Sequence, residues 1–155
     1  MGILIVITLI LVGLSLVFIV ATYFTFKTQT SPFQKQFLAG SVPDKLPEGL
    51  YRGNVPGHTF TWQGKKFGKD GSGINVFKND GKLSDKYPFK FYKSKGLQDD
   101  ISVIKIDYNL SENPIWLRFI VDEFVQTSPN KYLGKLHVQI FPGLSAALGY
   151  FKLEK

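Results

Sequence analysis

The chain has 155 residues, a formal net charge of +7 and no cysteine, which excludes disulfide bonds, thiolate metal ligands and cysteine nucleophiles. Its apolar content of 44% and charged content of 20% are typical of a folded protein and argue against a disordered chain. Every charged side chain lies at Lys27 or later, so an apolar head precedes a basic body that is long enough for one domain.

Residues 1–26 contain no charged side chain and consist mainly of Ile, Leu, Val and Phe. As a helix this segment would be about 37 Å long, which exceeds the ~30 Å hydrocarbon core of a bilayer. It has no polar stripe, unlike a core helix of a soluble domain. A cleaved signal peptide fits less well, because its apolar run is shorter and follows a basic residue. We therefore predict a single transmembrane anchor.

The charges that flank this helix predict its orientation. Lys27, Lys35 and Lys45 follow it, and Asp44 is the only acidic residue near them. Basic residues close to a transmembrane helix favour the cytoplasmic side. We expect a single-pass membrane protein whose C-terminal domain is cytoplasmic.

Residues 27–48 are interpreted as a juxtamembrane linker. The pairs Ser31-Pro32, Val42-Pro43 and Leu46-Pro47 predict an extended chain without a helix. The apolar residues of this segment lie either in the bilayer interface or at the frayed end of the anchor helix; they are Phe33, Phe37 and Leu38.

Residues 49–155 show the period-two alternation of β-strands that are apolar on one face. It is clearest at 103–110, at 135–140 (with Leu136, Val138 and Ile140 on the apolar face) and at 150–155. Turn signals separate the strands at Lys69-Asp70-Gly71, Asn79-Asp80-Gly81, Ser128-Pro129-Asn130 and Pro142-Gly143.

Residues 114–125 fit either a helix or a buried strand. We expect a short helix to about Ile120, followed by a strand to Thr127 that forms a hairpin with Tyr132. Seven to nine short strands in this length predict an all-β domain, a small antiparallel barrel, because closure removes the sheet edges. A β-sandwich is the alternative.

Several short motifs carry a resemblance to known domains. Gly49-Leu50-Tyr51-Arg52-Gly53 is followed by Gly57-His58, by residues 62–67 (WQGKKF) and, near the C-terminus, by Tyr132-Leu133-Gly134 and Gly149-Tyr150-Phe151. This pattern resembles the GXWXG-type domains of bacteria and, more loosely, the lipocalins, although Tyr51 stands where the signature has Trp. The resemblance implies a lipocalin-like barrel that the opening aromatic plugs at one end. It implies no activity, but lipocalin likeness implies a small apolar ligand.

Six residues are candidate ligand-binding residues. The aromatic ones would line or cap a cavity, and the cationic ones would meet a polar headgroup. They are Tyr51, Arg52, His58, Trp62, Trp116 and Arg118. His137 lies on the polar face of its strand, which places it either outside the barrel or in its lumen, and we favour the outside.

A lysine-rich stretch is the other candidate surface. Between residues 65 and 95 there are nine lysines and three aspartates, with aromatic residues interleaved. Such a stretch attracts anionic lipid headgroups or, less plausibly here, single-stranded nucleic acid; alternatively its lysines only protect exposed strands. The candidate membrane-surface residues are Lys65, Lys66, Lys69, Lys90, Lys93 and Lys95.

No pattern in the sequence predicts a catalytic site, a metal site or a cofactor. Asp122 and Glu123 are adjacent and would point to opposite faces of a strand, so they cannot work as an acid–base pair. The leading hypothesis is a membrane-anchored, lipocalin-like module that binds a lipid or another apolar small molecule. The alternatives are a scaffold that acts through its lysine-rich face and an enzyme that acts on a lipid-like substrate. The expected partners are the bilayer and the apolar molecule; no protein partner is predicted.

Overall fold

The computed structural model describes residues 2–141 and 143–155. Pro142, half of a predicted turn, lies outside the described residues, as does the side chain of Ile140. The elements are the helices α1 (Gly2–Gln29) and α2 (Pro32–Leu38), the strands β1 (Gly49–Asn54), β2 (Trp62–Phe67), β3 (Ser72–Asn79), β4 (Lys82–Lys95) and β5 (Ser102–Asp107), a 3₁₀ turn (Leu117–Phe119), and the strands β6 (Ile120–Ser128), β7 (Lys131–Phe141) and β8 (Leu144–Glu154).

The eight strands form a closed antiparallel barrel in which each strand pairs with its neighbours in the sequence and β8 returns to β1. The predicted barrel is therefore confirmed, and the sandwich is excluded. Residues 114–125, which fit either a helix or a strand, form both as expected: a short helical turn at Leu117–Phe119 precedes β6, and β6 pairs with β7.

Helix α1 is the one helix among the described residues that is long and apolar enough to cross a membrane. It extends past the predicted boundary at residue 26 to Gln29. Residues 2–20 are exposed along their whole length, and contact with the barrel begins around Ala21.

The two ends of the barrel differ. The closed end carries the turns β2–β3 and β6–β7 and the β4–β5 connection (residues 96–101), and its interior is filled by packed aromatic rings. Val42 and Leu46 from the segment before β1 pack against this core. The rings of the plug are Tyr51, Phe67, Phe91, Phe124 and Tyr132. The open end carries the connections β1–β2, β3–β4, β5–β6 and β7–β8.

The prediction that the prolines keep residues 27–48 extended is wrong for α2. Ser31 caps this helix by accepting a hydrogen bond from the Phe33 amide at 3.3 Å, and Pro32 occupies the first turn, where its missing N–H costs nothing. Phe37 is fully buried, so neither the bilayer interface nor a frayed helix end describes it. It packs on the outer wall of the barrel against Val125 and Leu133.

A buried polar network joins α2 to this outer wall. Lys135 donates to Asp99 at 2.7 Å and to Gln34 at 2.9 Å, and the Tyr150 hydroxyl also bonds to Gln34. Burial, together with the Asp99 carboxylate, raises the pKa of Tyr150. The polar face predicted for β7 is thus outside the barrel, but it is covered by an outer layer that consists of α2 and the 96–101 loop.

The same layer buries His137. Its Nε2 lies 3.2 Å from the Glu123 carboxylate, both side chains are fully buried, and Glu123 accepts a hydrogen bond from the Leu97 amide at 2.6 Å. His137 therefore points out of the barrel, as favoured from the sequence, but it is not a surface residue.

We predict that Asp99→Ala destabilises the protein by about 3–5 kcal/mol, because it leaves the fully buried ammonium of Lys135 without its carboxylate. Urea unfolding of the full chain in detergent micelles, followed by tryptophan fluorescence, measures this loss. The matched control is Asp100→Ala, which removes an exposed ion pair with Lys95 and should change stability little. Equal effects of the two substitutions would contradict the prediction.

Candidate ligand cavity

The barrel wall has a seam between its first and last strands. β1 pairs with β8 over three residues only, from Arg52–Glu154 to Asn54–Lys152, whereas β8 continues to Leu144 at the open end. Beyond Asn54 the chain leaves the wall and turns back at an isolated bridge between Val55 and His58. The open half of β8 therefore lacks a strand partner on this side.

Helix α1 occupies the edge of β8 that β1 leaves free. The Thr25 hydroxyl accepts a hydrogen bond from the Ala147 amide at 3.1 Å, and the Thr28 hydroxyl lies 3.3 Å from the Ala147 carbonyl, to which it donates. An unpaired strand edge is costly to bury unless its polar groups are satisfied. Two threonines one helical turn apart do this here, so the end of α1 is part of the barrel wall.

A cavity of about 990 Å³ extends from the open half of the barrel interior to this seam. Aromatic and aliphatic side chains provide most of its lining. Inside the barrel these are Trp62, Phe77, Tyr87, Ile120, Leu136 and Phe151, and at the mouth they are Phe60, Trp116 and Leu117. At the seam, Phe24 and Lys27 of α1 and Phe33 of α2 complete the lining.

A buried polar cluster lies in the wall of the cavity. Lys65 forms an ion pair with Asp122 at 2.9 Å, donates to the Asn75 side-chain oxygen at 2.9 Å and also contacts the Tyr108 hydroxyl. Tyr108 in turn donates to Asp122 at 3.0 Å. Four rings surround the ammonium at 5.1 to 5.4 Å from their centroids, namely those of Trp62, Phe89, Tyr108 and Phe151.

The prediction that Lys65 lies on the membrane-facing surface is therefore wrong, since its side chain is 3% exposed and points into the barrel. Burial lowers the pKa of Lys65, and Asp122 partly opposes this shift. Burial also raises the pKa of Tyr108, and the Asp122 carboxylate adds to the rise. The ion pair and its hydrogen bonds thus form a polar group without net charge inside an apolar cavity.

Two local features aim aromatic rings into the cavity. Trp62 donates from its indole nitrogen to Asn75 at 3.1 Å, and its ring lies over Gly53, where an added Cβ would come within 2.3 Å of it. Tyr87 adopts a positive φ of 61° at a register shift between β3 and β4. Such backbone is unfavourable for a residue with a bulky side chain and is often found at functional sites.

Three of the six predicted ligand-binding residues line the cavity: His58, Trp62 and Trp116. Tyr51 does not line the cavity; it is part of the closed-end plug. Arg52 is exposed on the outer face of β1. Arg118 is engaged by the loop before it, donating to the Asn113 carbonyl at 3.0 Å and to the Ser111 carbonyl at 2.7 Å. Neither arginine lies at the cavity.

Sequence reasoning missed Lys65, Asn75, Tyr108 and Asp122 as members of one site. Two signals indicated polar groups that point inward: alternation in residues 103–110 places Tyr108 on the apolar face, and the adjacent Asp122 and Glu123 must point to opposite faces of their strand. The other five candidate membrane-surface lysines are exposed: Lys66 and Lys90 on the outer faces of β2 and β4, Lys69 in the turn after β2, and Lys93 and Lys95 at the closed-end terminus of β4.

Within residues 2–141 and 143–155, no group of three or more His, Cys, Asp or Glu side chains is arranged to hold a metal ion. The cavity thus presents mainly apolar walls with one buried polar cluster inside the barrel, and Lys27 and His58 add polar groups at its edge.

Comparisons with known proteins inform the fold. No protein-family model matches the chain. No curated protein matches it either. The structure is similar to the crystal structure of a protein from Thermomonospora curvata, with a TM-score of 0.53 and 17% sequence identity over 75% of this chain and 79% of that chain. At this identity the likeness shows a shared fold and nothing about the ligand.

We predict that Lys65→Met destabilises the barrel by about 3–5 kcal/mol, because Asp122 then remains buried without its counter-charge. The double substitution Lys65→Met with Asp122→Leu should recover most of this loss, since it removes both charges. Urea unfolding of the two variants in detergent measures the difference. A double variant no more stable than the single one would show that the pair is not coupled in this way.

Proposed function

We propose that this protein is a membrane-anchored, lipocalin-like barrel that binds a lipid or another apolar small molecule in its cavity. The observation that carries the proposal is the cavity itself: about 990 Å³, lined mainly by aromatic and aliphatic side chains and bordered by the end of α1. Small-molecule sites in proteins are commonly of this size and are apolar with a few polar groups.

The polar cluster favours a ligand whose polar end is uncharged. Lys65 is satisfied by Asp122, Asn75 and Tyr108, so the cluster offers no free cation to an anionic headgroup. The two arginines that could have supplied one lie away from the cavity. Burial of an unpaired carboxylate or phosphate is strongly unfavourable. A hydroxyl, carbonyl or amide suits the end of the ligand that lies deepest in the barrel, whereas the exposed Lys27 lies at the seam, at the outer edge of the cavity.

The location of the cavity supports a role at a membrane. Helix α1 is long and apolar enough to span a bilayer, and its last turns form one border of the cavity. A ligand taken from the bilayer would therefore have a short path to the site. The cytoplasmic placement of the barrel, which the positive-inside rule favours, and the relation to GXWXG-type bacterial domains remain predictions.

Native mass spectrometry of the full chain, released gently from detergent micelles, tests this function. We expect a stoichiometric added mass on the wild-type protein, or its appearance after incubation of delipidated protein with an extract of membrane lipids. Leu136→Trp should reduce ligand occupancy at least about tenfold, because the larger side chain fills the cavity.

Leu50→Trp is the matched control, since it makes the same exchange at an exposed position on the outer face of β1. This variant should retain the ligand, and circular dichroism should show both variants folded. A wild-type protein that stays without ligand after exposure to membrane lipids would refute the proposed function.

A further inference from the structure

Large apolar side chains are exposed at the open end of the barrel, in every one of its four connections. Phe60 belongs to β1–β2, Leu83 to the β3–β4 hairpin, Trp116 and its neighbours to β5–β6, and Phe141 to the end of β7. We call these residues the rim: Phe60, Leu83, Ile115, Trp116, Phe119 and Phe141, whose exposed fractions range from 50% to 72%. Single exposed apolar side chains are common on protein surfaces, but several large ones at one end of a domain indicate an interaction surface.

The turns of the closed end are different. The β2–β3 turn contains Gly68, Lys69, Asp70 and Gly71, and the β6–β7 turn contains Pro129 and Asn130. These residues are typical of turns that face water. The apolar surface is therefore a property of one end of the barrel and not of its loops in general.

The course of the chain places α1 on the same side as the rim. Thr25 and Thr28 bond to Ala147, whereas Phe33 and Phe37, further along the chain, contact Tyr150. Because β8 runs from the open end to the closed end, the chain follows it in this direction as it leaves α1. The exposed part of α1, residues 2–20, thus extends beyond the open end.

We propose that the rim is inserted in the interface of the bilayer that holds α1, so that the cavity and its seam open onto the lipid rather than onto water. The inference rests on the proposed function, which it deepens by assigning the route of the ligand: laterally from the bilayer, between Phe60 on one side and Phe24 and Leu148 on the other.

The contact is mainly apolar. The β3–β4 hairpin at the rim carries Lys78, Lys82 and Lys86 beside Leu83, but Asp80 and Asp85 offset two of the three charges. Other lysines of the basic stretch lie far from the rim. Lys93 and Lys95, for example, are at the end of β4 that belongs to the closed end of the barrel, away from this bilayer. Insertion of the rim therefore does not require anionic lipid.

Trp116 reports directly on this contact, because the chain has only two tryptophans and the other, Trp62, is inside the barrel. The full chain carrying Trp62→Phe is reconstituted in vesicles of phosphatidylcholine with brominated acyl chains. We expect at least about a twofold loss of Trp116 emission relative to vesicles without bromine, together with protection from aqueous iodide.

The matched control carries Trp62→Phe, Trp116→Phe and Tyr92→Trp, which moves the single reporter to an exposed aromatic position on the outer face of β4. Its emission should be quenched by iodide and little affected by bromine. Trp116 that is open to iodide and unaffected by bromine, or equal bromine quenching at both positions, would overturn the inference. Ligand retention is scored on the wild-type protein by native mass spectrometry, because Trp62 lines the cavity. Ligand on the wild-type protein with an unquenched Trp116 would refute the rim contact alone, and a quenched Trp116 with no ligand on the wild-type protein would refute the proposed function alone.

Discussion

The pairing of α1 with the free edge of β8 is the contact on which the rest of the arrangement depends. β1 covers three residues of β8, and the hydroxyls of Thr25 and Thr28 satisfy the Ala147 backbone where the strand partner ends. A complete β1–β8 ladder would close the barrel without a seam. Because a helix replaces the strand there, the apolar segment is joined to the wall of the cavity and not attached through a flexible tether.

Strand β6 separates two buried polar networks that contain ion pairs. Asp122 points inward to Lys65, and the adjacent Glu123 points outward to the layer that contains Lys135, Asp99 and His137. Both pairs cost desolvation, so neither is explained by stability alone. The outer network fixes the position of α2 and of the 96–101 loop on the barrel, and the inner one provides a polar surface inside the cavity. Their separation follows from strand alternation, which sends neighbouring residues to opposite faces.

Much of the fold could be predicted from the sequence, because strand alternation and turn residues are local signals. The hairpin of β6 and β7 and the apolar face of β5 follow from such patterns. The outer layer could not be predicted: Lys135 and His137 alternate as surface residues do, and only the packing of α2 and the 96–101 loop buries them. The prediction for Lys65 was wrong for a similar reason. It stands in a run of lysines, and nothing local distinguishes the one that meets Asp122, which is 57 residues away along the chain.

The hollow end of the barrel coincides with irregular strand register. Irregular pairing around Gln63, at Tyr87 and at Leu148 adjoins the cavity, whereas at the closed end it occurs only beside the β6–β7 turn, between Gln126 and Ser128, among the described residues. A bulge bends its strand and redirects the neighbouring side chains, which is why bulges concentrate at barrel rims and beside functional sites. At the closed end the rings of Tyr51, Phe67 and Phe124 interlock and leave little space. Aromatic residues make up 15% of the chain, enough to fill a small barrel. They pack the interior at one end only and leave a cavity at the other end, where α1 leaves the barrel.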